Sequence, residues 1–296
     1  MIRVELLSAA QLAAHQDQLA EFERAFTYPL EGELTFRIDH GINYAAFFEG
    51  IGNPVFSVLF DGDLIVGILV GMQKTIRIRG RDLRAVYYGD LKIRPDYQKR
   101  GLTKRLYRAL IGRWLRTPST YFACHYGIAM QKGENNTFVN LRRRWFFRRF
   151  GELSLQLVFF ATPKQLAQIA PSPNLDERAL MKRALDLAPR VSGLVVSTRG
   201  KKDLWLDKAS APMNFTHFAG HQLFADSYLS SLKKAGEQAD GHYDQICFAL
   251  DSRRTALINH LKANAINPTG SATVYALPSP VSLLKPTCVC VSTSEI

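Results

Sequence analysis

Cysteine is scarce in this chain. Four occur among 296 residues, Cys124, Cys247, Cys288 and Cys290, with no CxxC pair and no histidines at zinc-ligand spacing. That argues against a structural zinc site and against a disulfide framework, and it fits a reducing, cytoplasmic setting. Long apolar runs are also missing. The longest, Leu64 to Met72, is far short of the ~20 residues that a membrane-spanning helix requires. The N-terminus, MIRVELLSAAQLAAHQDQ, carries Glu5 early and has no continuous apolar core, so it does not read as a secretory leader. The expectation is a chain with no membrane span and no metal. Hydrophobic residues are not in short supply: at 47% hydrophobic and 22% charged, the composition is that of an ordinary globular protein, which excludes wholesale disorder.

Positive charge is present in excess. The formal net charge is +12, and residues 1–160 hold 23 Lys and Arg against 15 Asp and Glu, the remainder 15 against 11. A basic N-terminal half suits an anionic partner, whether nucleic acid, a membrane surface or a phosphate-rich cofactor.

Periodicity supplies the organisation. Leu12, Leu19, Phe22 and Phe26 mark an amphipathic helix over 8–26, with Ser8 as its cap. Residues 53–79 alternate around the turn signal Asp61-Gly62-Asp63, the pattern of a β-hairpin, and 83–94 reads as a third strand stopped by Pro95. A helix over 101–116, a strand over 120–130, a helix over 136–150 and a strand over 152–161 follow. The fold class expected is α/β: a mixed, mostly antiparallel sheet flanked by helices, with a second α/β lobe that is open to being a degenerate copy of the first. The domains expected are 1–161 and 176–296, joined by the proline-rich linker 162–175. In the second, helices are expected over 176–187, 221–236 and 252–264, and strands near 190–198, 244–250 and 272–277, before an irregular tail.

The stretch that carries chemistry is Gly89 to Leu106, GDLKIRPDYQKRGLTKRL. A strand ends at Ile93, a tight loop follows, and a helix opens at Gly101. Free N–H groups at a helix start, together with the helix dipole, make a ready anion site, and a glycine lets a phosphate approach the backbone. Lys99 and Arg100 add positive charge, and Arg100, Lys104 and Arg108 lie along one helix face.

The pattern Ile93, Pro95, Gln98, Gly101, Thr103 resembles the signature of the GNAT superfamily of acyl-CoA-dependent N-acyltransferases over roughly residues 1–161, with Thr103 where Gly or Ala is usual. The resemblance implies that backbone amides of Gln98, Lys99, Arg100, Gly101, Leu102 and Thr103 hold the CoA diphosphate and that Lys104 and its basic neighbours meet the 3′-phosphate. It also implies that main-chain groups of Leu91, Lys92 and Ile93 pair with the pantetheine arm. The activity implied is direct attack of a primary amine on the thioester of acetyl-CoA. Candidate bases stand on the preceding strand, Tyr87, Tyr88 and Asp90. The tyrosine that protonates the leaving thiolate in the family is replaced by Phe147, which leaves Tyr126 or His125 as candidates. Arg37, Asp39, His40 and Tyr44 fall where the family walls its acceptor site, an acceptor that is either a small molecule or a protein amine. Alternatives stay open: a longer acyl chain, a lobe that binds CoA without catalysis, or an RNA-binding module using the basic, aromatic-interleaved run Arg142 to Arg149.

Overall fold

The computed structural model describes residues 1–29, 35–116, 124–130, 149–171, 177–188, 192–207, 209–220, 225–277 and 285–295. The expected helix 136–150 therefore falls almost wholly outside the described residues, as does Phe147. The chain divides into two compact units. The first takes Met1–Lys74, Val86–Phe122 and Thr198–Met213, and the second Thr75–Ala85, Ala123–Ser197 and Asn214–Ile296.

The first unit opens with a strand, β1 (Ile2–Leu7), whose alternation of Ile2, Val4 and Leu6 with Arg3 and Glu5 the helix-period reading passes over. Ser8 then caps α1 (Ala9–Leu12) in a reciprocal capping box with Gln11. The expected single helix is broken by a 3-10 turn at Ala13–His15 before α2 (Gln16–Arg24). Its apolar positions Leu12, Leu19 and Phe22 are buried as the spacing requires. After β2 (Tyr28–Pro29) and β3 (Thr35–Asp39), Asn43 accepts from the Ala45 N–H and starts α3 (Tyr44–Ile51).

β4 (Asn53–Asp61) and β5 (Leu64–Ile78) pair antiparallel around Gly62, and β1 pairs with β4, also antiparallel. β6 (Arg81–Ile93) lies next to β5. The runs of β4 and β5 are apolar on both sides, as central strands covered on two faces require. On one face α4 (Leu102–Leu115) buries Leu106, Leu110 and Trp114, and Gly71 makes room for it, because a Cβ there would lie 3.2 Å from Leu110. On the other, Phe48 of α3 meets Phe56 of β4 edge-on at 5.6 Å. A separate three-stranded antiparallel sheet is made by β2, β3 and a strand from far along the chain, Asp203–Leu206 (β11 in chain order), with Trp205 opposite Arg37.

In the second unit, β7 (Cys124–Met130) and β8 (Gly151–Ala161) are not neighbours. A strand from the C-terminal half, β14 (Pro268–Ala276), stands between them, antiparallel to both. β8 continues to β13 (Gln245–Asp251), antiparallel, and β13 to β12 (Phe215–Phe218), parallel; β10 (Val195–Val196) closes the row. Among the described residues its α-helices are α5 (Pro163–Ala167), α6 (Arg178–Met181), α7 (Ala225–Ala239) and α8 (Thr255–Ala263). Tyr228 and Leu232 of α7, Leu257 and Leu261 of α8 and Leu166 of α5 are buried in one core against Phe159 and Phe248, whose rings stack at 5.0 Å. The expected helix over 176–187 is only α6; the chain then extends into β9 (Leu185–Asp186), which pairs with Val289–Cys290 (β15) and with the end of β5. Tertiary pairing has overridden local propensity there.

Pro163 sits at the start of α5 inside a Thr162–Gln165 capping box, and α5 crosses α7 at Gly236, where a Cβ would come within 2.7 Å of the Pro163 carbonyl and 2.8 Å of the Ala167 nitrogen. Backbone cannot yield as a flexible side chain can. Gly236→Ala is expected to cost about 1–3 kcal/mol of stability, read as a lowered denaturant midpoint with unchanged slope.

Candidate active site

The end of β6 and the loop behind it carry two features. The first is the loop itself. A 3-10 turn at Pro95–Tyr97 leads to Gln98, whose side-chain amide bonds the Ile93 carbonyl at 3.2 Å and ties the loop back to the strand. Lys99 (φ 64°) and Gly101 (φ 74°) are both left-handed, so the chain turns sharply into α4. Among the described residues nothing lies within 4 Å of where a Gly101 Cβ would stand. Glycine is therefore demanded there by backbone angle rather than by crowding. First-turn N–H groups such as Leu102 and Thr103 have no acceptors within the helix. Arg100 bonds the Asp96 carbonyl at 2.8 Å and stacks over Tyr97, Arg105 bonds the Ile2 carbonyl, and Lys104 and Arg108 are exposed.

The second feature is a buried chain of charges. Asp90 has φ 52°, a left-handed irregularity three residues before the end of β6, and its side chain is only 11% exposed. Lys92 sits between two carboxylates, 2.9 Å from Asp90 and 2.8 Å from Glu23. Glu23 in turn accepts from His40 twice, from Nδ1 at 2.6 Å and from the backbone N–H at 3.1 Å. The Tyr44 hydroxyl donates to the other Asp90 oxygen. His40 is itself packed among Tyr44, Phe47 and Phe48.

Burial works to raise the Asp90 pKa, but the charges of Lys92 and His40 and the Tyr44 hydrogen bond outweigh it and hold the carboxyl at about 2. Glu23 is likewise lowered: burial opposes, and the His40 bond and Lys92 prevail. For Lys92 burial works downward, and Asp90 and Glu23 drive its pKa up beyond the usual lysine range. Burial, then Asp90, pushes the Tyr44 hydroxyl well up, and burial pushes Tyr28 up to about 12. At neutral pH the chain therefore runs Tyr–OH, carboxylate, ammonium, carboxylate, with the His40 ring bonded to the last carboxylate. Ligand-type atoms of Glu23, His40 and Asp90 lie within 4.8 Å of one another, the spacing of a metal site. The Lys92 ammonium already supplies the positive charge between the carboxylates.

Of the residues the sequence singles out, the structure brings Asp90, Lys92, His40 and Tyr44 together. Lys92 does so through its side chain, whereas the resemblance implied a main-chain role. Arg37 instead lies over the Trp205 ring, and Asp39 bonds the Gly41 N–H at 2.7 Å in a surface turn. Tyr87 is buried beside Gly89, and Tyr88 packs on Tyr107 under α4. In the second unit, Tyr126 is fully buried with its hydroxyl 3.4 Å from the Leu187 carbonyl, Cys124 is buried, and burial pushes His125 down to about 4. The residue missed was Glu23. Its signal was an acid on the apolar face of α2, one turn after Leu19 and next to Phe22.

No family model matches the chain, and no curated protein matches it in sequence. Solved structures do resemble it in fold. N-myristoyltransferase of Saccharomyces cerevisiae with bound myristoyl-CoA aligns over 93% of this chain and 78% of its own at 10% identity and a TM-score of 0.52. A tandem GNAT protein from the clavulanic acid biosynthesis pathway aligns over 93% and 98% at 11% identity and a TM-score of 0.49. A GCN5-related N-acetyltransferase from Kribbella flavida aligns over 96% and 72% at 12% identity and a TM-score of 0.45. The fold is like that of the N-myristoyltransferase, a mixed α/β architecture with mostly antiparallel strands flanked by helices. Among the described residues no helix is long and apolar enough to cross a membrane.

Proposed function

We propose that the protein is an N-acyltransferase that moves an acyl group from acyl-CoA to an amine, with acetyl-CoA as donor and a primary amine, small molecule or protein, as acceptor. The observation that carries the reading is the strand–loop–helix at Ile93–Gly101, with left-handed turns at Lys99 and Gly101 that lead into α4. The acyl-CoA-binding role is assigned to the N-terminal region, 1–161, with 176–296 as its partner lobe and 162–175 as the connection. The amides of residues 99–103 would hold the diphosphate, since the Gln98 N–H is already bonded to the Pro95 carbonyl at 3.2 Å, and the main chain of Leu91 to Ile93 would hold the pantetheine arm.

The charge chain suggests how an amine is received. A carboxylate held at about 2 is a weak base at neutral pH, so Asp90 is read as an anchor for the incoming ammonium rather than as the group that deprotonates it. Asp90 is the most exposed member of the chain, and Lys92 and Tyr44 fix its orientation. The proton then leaves through water.

The test is thiol release from acetyl-, butyryl-, octanoyl- and myristoyl-CoA against a panel of amines. Amine-dependent release with acetyl-CoA is expected. Release that rises with chain length would move the donor assignment to a longer acyl group, and no release from any donor by folded protein would contradict the enzyme reading.

A further inference from the structure

The outer side of α4 carries exposed charge where its inner side buries Leu106, Leu110 and Trp114. Beside it, against β1, runs a groove of about 440 Å³ in the first unit. Val4, Leu6 and Gly112 contribute apolar surface to it, and three exposed arginines, Arg108, Arg113 and Arg116, stand along it. No carboxylate lines it among the described residues, and the sequence has no acidic residue between Asp96 and Glu134.

Gly112 is the telling position. It lies in the interior of a 14-residue helix, where glycine costs about 1 kcal/mol relative to alanine. Gly71 and Gly236 are glycine because a Cβ would strike a neighbour. At Gly112 a Cβ would meet nothing within 4 Å among the described residues, and the backbone is not left-handed. Neither packing nor conformation asks for it. Its missing side chain deepens the groove.

We infer that this groove is a docking site for an acidic polypeptide segment whose carboxylates alternate with apolar side chains. The apolar floor takes the aliphatic groups, and the planar guanidinium forks of Arg108 and Arg116 take carboxylates. From Arg108 to Arg116 the helix runs about 12 Å, enough for three or four extended residues. A nucleic-acid strand would want exposed rings to stack its bases, and the aromatics of this helix, Tyr107 and Trp114, are buried on the opposite side. A flat lipid surface does not fill a concavity. A second copy of this chain, at +12, is repelled rather than attracted.

The experiment uses the full chain and a pool of fluorescent peptides, about twelve residues long, alternating Glu with Leu or Val. The same pool with Lys for Glu is the control, and binding is read by anisotropy. The acidic pool is expected to bind saturably, more weakly as salt rises, and the Lys pool not at all. Gly112→Leu, which fills the groove, and the pair Arg108→Glu with Arg116→Glu are each expected to weaken binding by about tenfold or more. Thermal melting keeps the first variant interpretable, since leucine in place of glycine should leave the helix as stable or more so. Three results would overturn the inference: no binding of the acidic pool, binding unchanged in both variants, or tighter variant-sensitive binding of duplex RNA or phosphatidylserine vesicles.

Discussion

Lys92→Met is expected to destabilise the protein by about 3–5 kcal/mol, because it leaves Glu23 and Asp90 as buried carboxylates facing each other without their cation. Methionine keeps the length of the side chain, so the loss is electrostatic rather than a cavity. The pH dependence follows from the directions of the shifts. The Asp90 carboxyl lies below its ordinary 3.8, so its contribution is whole above about pH 4 and is lost as pH falls toward 2. The Lys92 pKa lies above its ordinary 10.5, so its contribution is whole below that value and is lost only as pH rises through the raised one. Removing Lys92 takes away the charge that holds both carboxyls down, so acid unfolding of the variant should begin at higher pH than in the parent. Adding Glu23→Gln should recover part of the loss, since a buried charge and its partner are better removed together. Urea titrations at pH 4, 5 and 7 read all three effects. A cost under about 1 kcal/mol at pH 7 for Lys92→Met would mean that the cluster is solvated and that Asp90 is not held as described.

The second large effect is on the donor side. Gly101→Val should lower acyl-CoA affinity by about tenfold to a hundredfold while the first unit stays folded. Valine at φ 74° costs about 1–2 kcal/mol, which the loop can relieve by turning away from its present path. Any such turn misdirects the first amides of α4, and hydrogen bonds to a charged group are worth about 1.5–3 kcal/mol each. Among the described residues no atom lies within 4 Å to be displaced by the new Cβ, so a general collapse is not expected. Calorimetric titration together with a thermal melt separates the two quantities. Unchanged affinity in a folded variant would remove the loop from the donor site.

The loop was legible in the sequence because everything it needs is contiguous: the strand that ends at Ile93, the proline that stops it, the glycine that turns the chain. The charge chain was only half legible. Asp90, His40 and Tyr44 stood out as polar residues among aromatics, but the partner that links them, Glu23, is 69 positions from the Lys92 it binds. Only its place on the buried face of α2 betrayed it, and an acid among core positions can also be a helix-end residue. β1 was written plainly in its alternation of Ile2, Val4 and Leu6. β14 could not be placed at all from its own residues, since an apolar strand at 268–276 fits any gap in a sheet, and only packing puts it between β7 and β8. The division of the chain was hidden for the same reason: Thr198–Met213 joins the first unit through one strand pairing, β11 with β3, that no local signal announces.

The central claim is that main-chain N–H groups between Gln98 and Thr103 grip the diphosphate of CoA. Amide-resolved NMR during titration with CoA reads it directly. The account predicts saturable shifts concentrated on the amides of Lys99, Arg100, Gly101, Leu102 and Thr103, at the same CoA concentrations that saturate calorimetry. Saturation with those amides unmoved, or no saturation by folded protein, would contradict it.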